Sequence, residues 1–226
     1  MLTVAPDRDL VERQLGNGEL VCPRCEAGVL GGHGWVGRRW LRRADGLVVL
    51  LKAHATEQEK EGGKVVGGLR RGRCKRAECR ATHVLLPAGM LGRRLDEVEV
   101  IGAALLAWAG GAGCRRICAG AGRPLSTVRG WLGRLEQNTG SLRAAFTGLV
   151  HRLEVSPPVL TGGRGEAAEA VAAMGEAAAA VRRLLGTSMR ALSPWQVVAA
   201  VSHGRLLAVA APARLFYTSR HLVLTM

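Results

Sequence analysis

Short apolar stretches separated by Gly-rich turns mark the first ninety residues of the chain, whereas the hydrophobic period becomes helical from Asp96 onward. Four of the apolar stretches predict strands, over 19–21, 35–41, 69–73 and 83–86. Between them, segment 44–64 combines an apolar run with a charged stretch, and we interpret it as a hairpin arm or an insertion. The pattern therefore predicts an α+β fold class, with a small β module over residues 15–90 followed by helices.

The helical part begins with one apolar stripe, formed by Val98, Ile101, Leu105 and Trp108. Asp96 is predicted as the N-cap of this helix, with Glu99 reaching back to complete a capping box. A Gly-Gly pair ends the helix, and a short helix follows over 114–119. After a Gly-containing turn, a third helix is predicted over 124–135.

The third of these helices has an apolar side and a polar side. Its inward side is predicted to consist of Leu125, Val128, Leu132 and Leu135. Its outward side is predicted to present Ser126, Thr127, Arg129 and Arg134. A short helix, a Gly-containing turn and a helix that starts with Ser, Thr and Arg form the helix-turn-helix layout, which we place over residues 96–137.

In that layout the third helix enters the major groove of double-stranded DNA, where Arg pairs with guanine. The preceding helix and turn are predicted to approach DNA phosphates through Arg115, Arg116 and Arg123. The alternative is a plain three-helix bundle with a solvated basic face, because exposed Arg is common on helices without any partner.

Residues 156–226 are predicted as a helical C-terminal region of unknown role. It contains an Ala-rich helix over 166–185 and a final helix with Ser193 as N-cap and Pro194 in the first turn. The apolar stripe of the Ala-rich helix consists of Val171, Met174, Ala178, Val181 and Leu185. Such a stripe is compatible with a homodimer seam or a docking surface, although core packing within the chain is the commoner explanation.

The chain of 226 residues carries 32 Lys and Arg against 18 Asp and Glu, a net charge of +14. Only four of the basic residues are Lys, so part of the Arg excess reflects the codon bias of a high-GC genome. Residues 1–95 hold 18 basic and 10 acidic residues, and this part therefore has most of the net charge. A chain this basic favours a polyanion as partner, and Arg71, Arg73 and Arg76 are predicted to contact phosphates.

No secretory signal pattern opens the sequence, and its most apolar late run, over 197–212, contains His203 and Arg205. That run falls short of the roughly 20 apolar residues that a spanning helix needs. We therefore expect a cytoplasmic protein without membrane association. Six cysteines in a reducing compartment favour metal binding or thiolate chemistry over disulfides.

Four cysteines form two close pairs, Cys22 with Cys25 and Cys74 with Cys79. A short turn between paired cysteines places two sulfurs on one side of a metal ion, and two such turns at hairpin tips make a zinc ribbon. The four cysteines are therefore the predicted ligands of a structural zinc ion, although His33 or His83 is able to replace one of them.

The spacing of the cysteines does not by itself require a metal. The four could be unrelated small core residues, and a thioredoxin-type redox role is disfavoured because no βαβ pattern surrounds them. Cys114 and Cys118 lie four apart on a predicted helix, where they are either a metal half-site or, more commonly, residues that face a helical core.

Several motifs together resemble an uncharacterised family of high-GC bacteria that combines a transposase-like zinc ribbon with a helix-turn-helix. The resemblance lies in the motifs Val21-Cys22-Pro23-Arg24-Cys25, 73–79, 82–87, Arg93-Arg94, 101–106, Arg123-Pro124 and 126–132. The resemblance covers residues 15–137. The family is similar to the DNA-binding N-terminal region of insertion-sequence transposases. The chain departs from the family in its wider second cysteine pair and in the insertion over 44–64.

The carboxylates argue against catalysis. Strand transfer needs clustered carboxylates that hold two divalent ions. Asp96 is the last Asp of the chain, so a site of two Asp and one Glu cannot form after the helix-turn-helix. Tyr217 is the single Tyr, and the chain is too short for the usual catalytic domain of a tyrosine recombinase. We therefore predict a DNA-binding protein rather than an enzyme, either a transcriptional regulator or an accessory of a mobile element whose transposase or integrase is separate. The alternatives are a protein-interaction adaptor and an RNA-binding zinc-ribbon protein.

Overall fold

The computed structural model describes residues 1–5, 7–37, 39–54, 56, 64–153, 165–186 and 192–209. Strands come first and helices follow, which confirms the predicted α+β class. The strands are β1 (Leu2–Val4), β2 (Leu30–Trp35), β3 (Arg39–Arg42), β4 (Val48–Lys52), β5 (Val65–Gly67), β6 (Arg70–Cys74) and β7 (Thr82–Pro87). The helices are α1 (Arg8–Asn17), α2 (Val98–Ala109), α3 (Cys114–Ala121), α4 (Leu125–Leu153), α5 (Glu166–Leu185) and α6 (Pro194–Val201).

The N-terminal sheet has the strand order β1-β7-β6-β2. Strand β6 pairs antiparallel with both β2 and β7, whereas β1 pairs parallel with β7. Strand β1 lies before the expected start of the module at residue 15, and helix α1 runs across it. Helix α1 forms because the Asp7 side chain accepts hydrogen bonds from the amides of Asp9 and Leu10, and it ends where Gly18 adopts φ of 69°.

A second sheet is ordered β3-β4-β5, and its strand β4 comes from segment 44–64, the predicted hairpin arm or insertion. Strands β3 and β4 pair antiparallel. Residues 57–63, which belong to the charged stretch of segment 44–64, lie outside the described residues. The prediction of one strand over 35–41 is wrong, because the chain leaves β2 after Trp35 and starts β3 in the other sheet at Arg39. The predicted strand over 19–21 reduces to a single bridge between Val21 and Val29.

Helices α2 to α6 share one hydrophobic core. Helix α4 spans 29 residues instead of ending at 135, because buried Leu142, Phe146 and Leu149 continue its apolar side along α5. Leu125 was predicted to face inward but is 36% exposed at the first position of α4, whereas Trp131 is buried. None of the described helices combines the length and apolarity needed to cross a membrane.

The two C-terminal helices begin where the sequence predicts. Helix α5 covers the predicted 166–185, and Ser193 caps α6 in a capping box with Gln196. Four of the five stripe residues of α5 are buried in the shared core: Val171, Met174, Ala178 and Val181. Core packing within the chain therefore accounts for this stripe.

The structure corrects two predictions, that Asp96 caps α2 and that Arg123 approaches phosphates. Glu97, not Asp96, is the N-cap of α2, and Asp96 is buried. Its Oδ1 accepts a hydrogen bond from Arg123 Nε at 2.5 Å, and Arg123 Nη2 donates to the carbonyl of Arg43 at 2.9 Å. Arg123 is only 7% exposed. Its guanidinium group therefore neutralises a buried carboxylate instead of approaching a phosphate.

Replacing Asp96 by Ala is expected to lower the free energy of unfolding by about 3–5 kcal/mol, because Arg123 would remain buried without its partner. Urea unfolding followed by circular dichroism measures this change. The matched control is Asp45→Ala, which removes an exposed pair with Arg43 at 3.7 Å and should cost about 1 kcal/mol or less. Equal losses in both variants would contradict the importance of the buried pair.

Candidate metal centre

The first cysteine pair lies on a tight turn that the backbone closes on itself. The amide of Cys22 donates to the carbonyl of Gly28 at 2.7 Å, and the amide of Glu26 donates to the carbonyl of Cys22 at 2.9 Å. Glu26 has φ of 54°, which reverses the chain after Cys25. The turn therefore holds both side chains on the same side of the loop.

The second pair lies on the turn between β6 and β7. Cys74 is the last residue of β6, and its amide donates to the carbonyl of Ala81 at 2.9 Å. The amide of Lys75 donates to the carbonyl of Val29 at 2.9 Å, so one hydrogen bond joins the second turn to the first. Both cysteine pairs are thus positioned on turns between antiparallel segments, as their spacing predicts.

The four sulfurs converge. The Sγ atoms of Cys22, Cys25, Cys74 and Cys79 all lie within 4.8 Å of one another. Cys22 Sγ is 3.8 Å from Cys79 Sγ, and Cys25 Sγ is 3.7 Å from Cys74 Sγ. A tetrahedral site with metal–sulfur bonds of about 2.3 Å separates its sulfurs by about 3.8 Å, whereas a disulfide needs about 2.05 Å. The cluster therefore fits a four-thiolate metal site, and all four cysteines are free.

Backbone amides and burial act in opposite directions on these thiols. The amide of Ala27, helped by that of Gly28, donates to Cys25 Sγ and lowers the pKa of Cys25 to about 6. Burial raises the pKa of Cys74 to about 12 and also raises the pKa of Cys22. Because metal ligands must be thiolates, binding near neutral pH has to release at least the protons of Cys22 and Cys74.

His83 touches the cluster from the interior. Its Nε2 is 3.3 Å from Cys22 Sγ, and in the tautomer with hydrogen on Nε2 it donates to that sulfur. Burial lowers the pKa of His83 to about 4, so the ring is neutral at physiological pH. His33 is exposed on β2. Neither histidine belongs to the group of four ligand atoms, and the cysteines complete the set by themselves.

Gly28 is a residue of the site that the cysteine spacing alone does not reveal. A Cβ added there would lie 2.5 Å from Cys74 Sγ and 3.4 Å from Cys25 Sγ. Only a residue without a side chain fits between the two sulfurs. Its position three residues after the second cysteine of the turn is the sequence signal that points to it.

Most of the predicted DNA-contact side chains are accessible to solvent. The exposed ones are Arg71, Arg76, Arg115, Arg116, Ser126 and Arg129. Those at intermediate exposure are Arg73, Thr127 and Arg134. Arg76 is paired with Glu78 at 2.9 Å, and Arg123 is the one member of the predicted set that is buried.

Cys114 and Cys118 lie apart from the four-sulfur cluster. Both are partly buried on α3 and pack against the core that the helices share. The structure thus agrees with the interpretation that they face a helical core.

Comparison of the chain with protein-family models, with curated proteins and with solved structures finds no match. The resemblance to a transposase-like family therefore stays an expectation drawn from sequence motifs. The cysteine cluster and the surface of the helices are the features of this chain that bear on function.

Purified protein is expected to carry one metal ion per chain, and Cys22→Ser should lose it because a tetrahedral site needs all four ligands. Elemental analysis by mass spectrometry counts the metal, and zinc added to stripped protein should release protons that a pH indicator detects. Cys118→Ser, outside the cluster, serves as the control and should keep its metal. A folded wild type that neither contains metal nor takes up zinc would refute the site.

Gly28→Ala is expected to weaken metal binding by about 10–100-fold, because the new methyl group displaces Cys74 Sγ although every ligand is retained. Competition with a chromophoric chelator measures the affinity. Gly16→Ala is the control, since a Cβ at this exposed position of α1 meets nothing within 4 Å. Unchanged affinity in Gly28→Ala would show that the turn yields more easily than its packing indicates.

Proposed function

We propose that this chain is a DNA-binding protein that combines a zinc ribbon with a helix-turn-helix. The observation that carries the proposal is the exposed basic surface of α3 and the start of α4, where Arg115, Arg116, Arg129 and Ser126 are accessible. The sequence from 100 to 135 contains five Arg and no Asp or Glu, so no carboxylate of this segment competes with a phosphate.

The helices behind this surface support the proposal because they hold it rigidly. Helix α3 packs against both α2 and α4. Ile117, Val128 and Trp131 are each less than 5% exposed in the core between them. Between α3 and α4 stand only three residues, starting with Gly122 at φ of 59°. A short helix, a three-residue turn and a second helix agree with the helix-turn-helix layout.

We assign zinc to the four-sulfur cluster, with Cys22, Cys25, Cys74 and Cys79 as its ligands. Zinc prefers four thiolates in a tetrahedron, and a site with no open position is structural rather than catalytic. Its role here is to fix the second cysteine turn, which carries Arg76, together with the end of β6, which carries Arg71 and Arg73. These arginines contact phosphates without regard to sequence, and the helices read the bases.

The protein acts as a binder, not as an enzyme. All four Asp of the chain stand at or before Asp96, which is buried against Arg123. Two-metal strand transfer needs carboxylates that face the DNA, so a separate transposase or integrase would supply catalysis for a mobile element. A transcriptional regulator needs no such partner, and both roles use the same DNA-binding surface.

Double-stranded DNA is favoured over RNA because the deep, narrow major groove of A-form RNA excludes a reading helix. The competing adaptor role loses its clearest surface, since the stripe of α5 is occupied by the core of the same chain. Competition of duplex RNA against duplex DNA separates the two nucleic acids.

Binding to DNA selected from a random pool should weaken steeply with salt, because each phosphate contact releases counterions. Arg129→Ala should cost about 1–3 kcal/mol on the preferred sequence and relax specificity. Arg71→Ala should weaken all sequences about equally and reduce the salt slope by about 1. Fluorescence anisotropy at several salt concentrations measures both effects.

Arg183→Ala is the control for these variants, because this exposed residue of α5 lies outside the proposed surface. Salt-insensitive binding, or equal effects of the three substitutions on every sequence, would overturn the proposed division between reading and positioning.

A further inference from the structure

Four arginines line one pocket of about 490 Å³ beside the loop before α2. They are Arg93, Arg94, Arg134 and Arg205. The other lining residues are glycine or apolar: Met1, Gly92, Gly204, Leu207, Ala208 and Val209. Among the described residues, no carboxylate lines this arginine pocket.

Three separate segments bring the arginines together. The loop over 91–94 supplies two of them, α4 supplies Arg134, and the loop after α6 supplies Arg205. The two loops meet where the amide of Gly92 donates to the carbonyl of Gly204 at 2.7 Å. Gly204 has φ of 68°, and a Cβ there would lie 2.4 Å from Leu86 Cδ2, so this close approach requires glycine.

The loop over 91–94 is held in place before any ligand arrives. Arg39 Nη2 donates to the carbonyls of Leu91 and Arg94, each at 2.8 Å. Arg94 Nη2 in turn donates to the carbonyl of Leu207 at 2.5 Å, which ties the loop to the segment after α6. A binding group on a fixed loop loses less conformational entropy on association than one on a free loop.

The arginine pocket places like charges close together. Burial, together with the charge of Arg134, lowers the pKa of Arg94, so these two guanidinium groups repel each other. Arg94 Nε is buried and has no hydrogen-bond partner among the described residues. The sequence over 210–226 contains neither Asp nor Glu.

We propose that the arginine pocket binds a phosphate monoester or polyphosphate, as carried by a free nucleotide or by the end of a nucleic-acid strand. The planar guanidinium group pairs with phosphate oxygens two at a time, and several converging arginines select a multiply charged group. The volume lies in the range of about 300–1,000 Å³ that is typical of small-ligand pockets. Leu207 and Ala208 provide apolar contact for the part of the ligand beyond the phosphate.

Isothermal titration calorimetry with pyrophosphate and with ATP tests the proposal on the full chain, in sodium chloride of matched ionic strength. Wild type should bind both saturably. Arg93→Gln/Arg205→Gln should weaken binding at least about tenfold, because the loss of even one charge-assisted hydrogen bond costs about 1.4 kcal/mol or more. Both side chains are exposed, so the fold should persist, as circular dichroism and metal content verify.

The control is Arg13→Gln/Arg183→Gln, which removes the same charge from two exposed helix positions outside the pocket. It should bind pyrophosphate as wild type does. A 5′-phosphorylated oligonucleotide that displaces ATP, while its unphosphorylated counterpart does not, would assign the pocket to strand ends; failure of both to displace ATP would assign it to free nucleotides. Absence of saturable binding, or equal weakening in both double variants, would overturn the proposal without bearing on the duplex-binding surface of α3 and α4.

Discussion

A buried carboxylate lies where the two halves of this protein meet. Asp96 is 2% exposed at the point where the strands give way to helices, and a charge in that place must be neutralised. Arg123 does so from the turn between α3 and α4, and it also reaches the carbonyl of Arg43 next to the β3–β4 hairpin. The amide of Glu97 donates to the carbonyl of Arg42 at 3.1 Å and closes the same junction. The start of α4 is therefore held against the β part of the chain, with its Ser and Arg side chains facing outward.

The β part needs a second constraint because its own core is small. It is divided into a cluster of nine buried residues around Leu2 and Leu30 and another of six around Leu41 and Leu69, and two of the nine are Cys22 and Cys74. Small cores rarely stabilise a fold alone, and metal ligation commonly supplies the difference. The sulfurs thus belong both to this core and to the candidate metal site. Burial raises the pKa of Cys74 because a buried thiolate loses its hydration, and a bound cation would compensate for that loss.

What the sequence predicts correctly is what local spacing determines. The cysteine turns and helix α5 depend on neighbours a few residues away, and both come out as expected. The burial of Arg123 depends on a carboxylate 27 residues earlier, and β1 pairs with a strand more than eighty residues later, so no local pattern contains either. Helix α1 is a different case. Asp7 and Gly18 mark its two ends in the sequence. Local signals are therefore sufficient to predict this helix, although it is not among the expected elements.

Arginine accounts for 28 of the 32 basic residues, and the fold gives those residues different chemistry. Arg39 and Arg123 are structural, because a planar guanidinium group satisfies two or three acceptors that one ammonium group could not reach together. Their charge is used inside the protein and adds little attraction for a polyanion. The exposed arginines of α3 and α4 form a broad basic surface, whereas those around Arg94 concentrate charge in a pocket. The net charge of +14 therefore does not measure one basic patch. The burial and the acceptors of each arginine determine whether its charge is available to a partner.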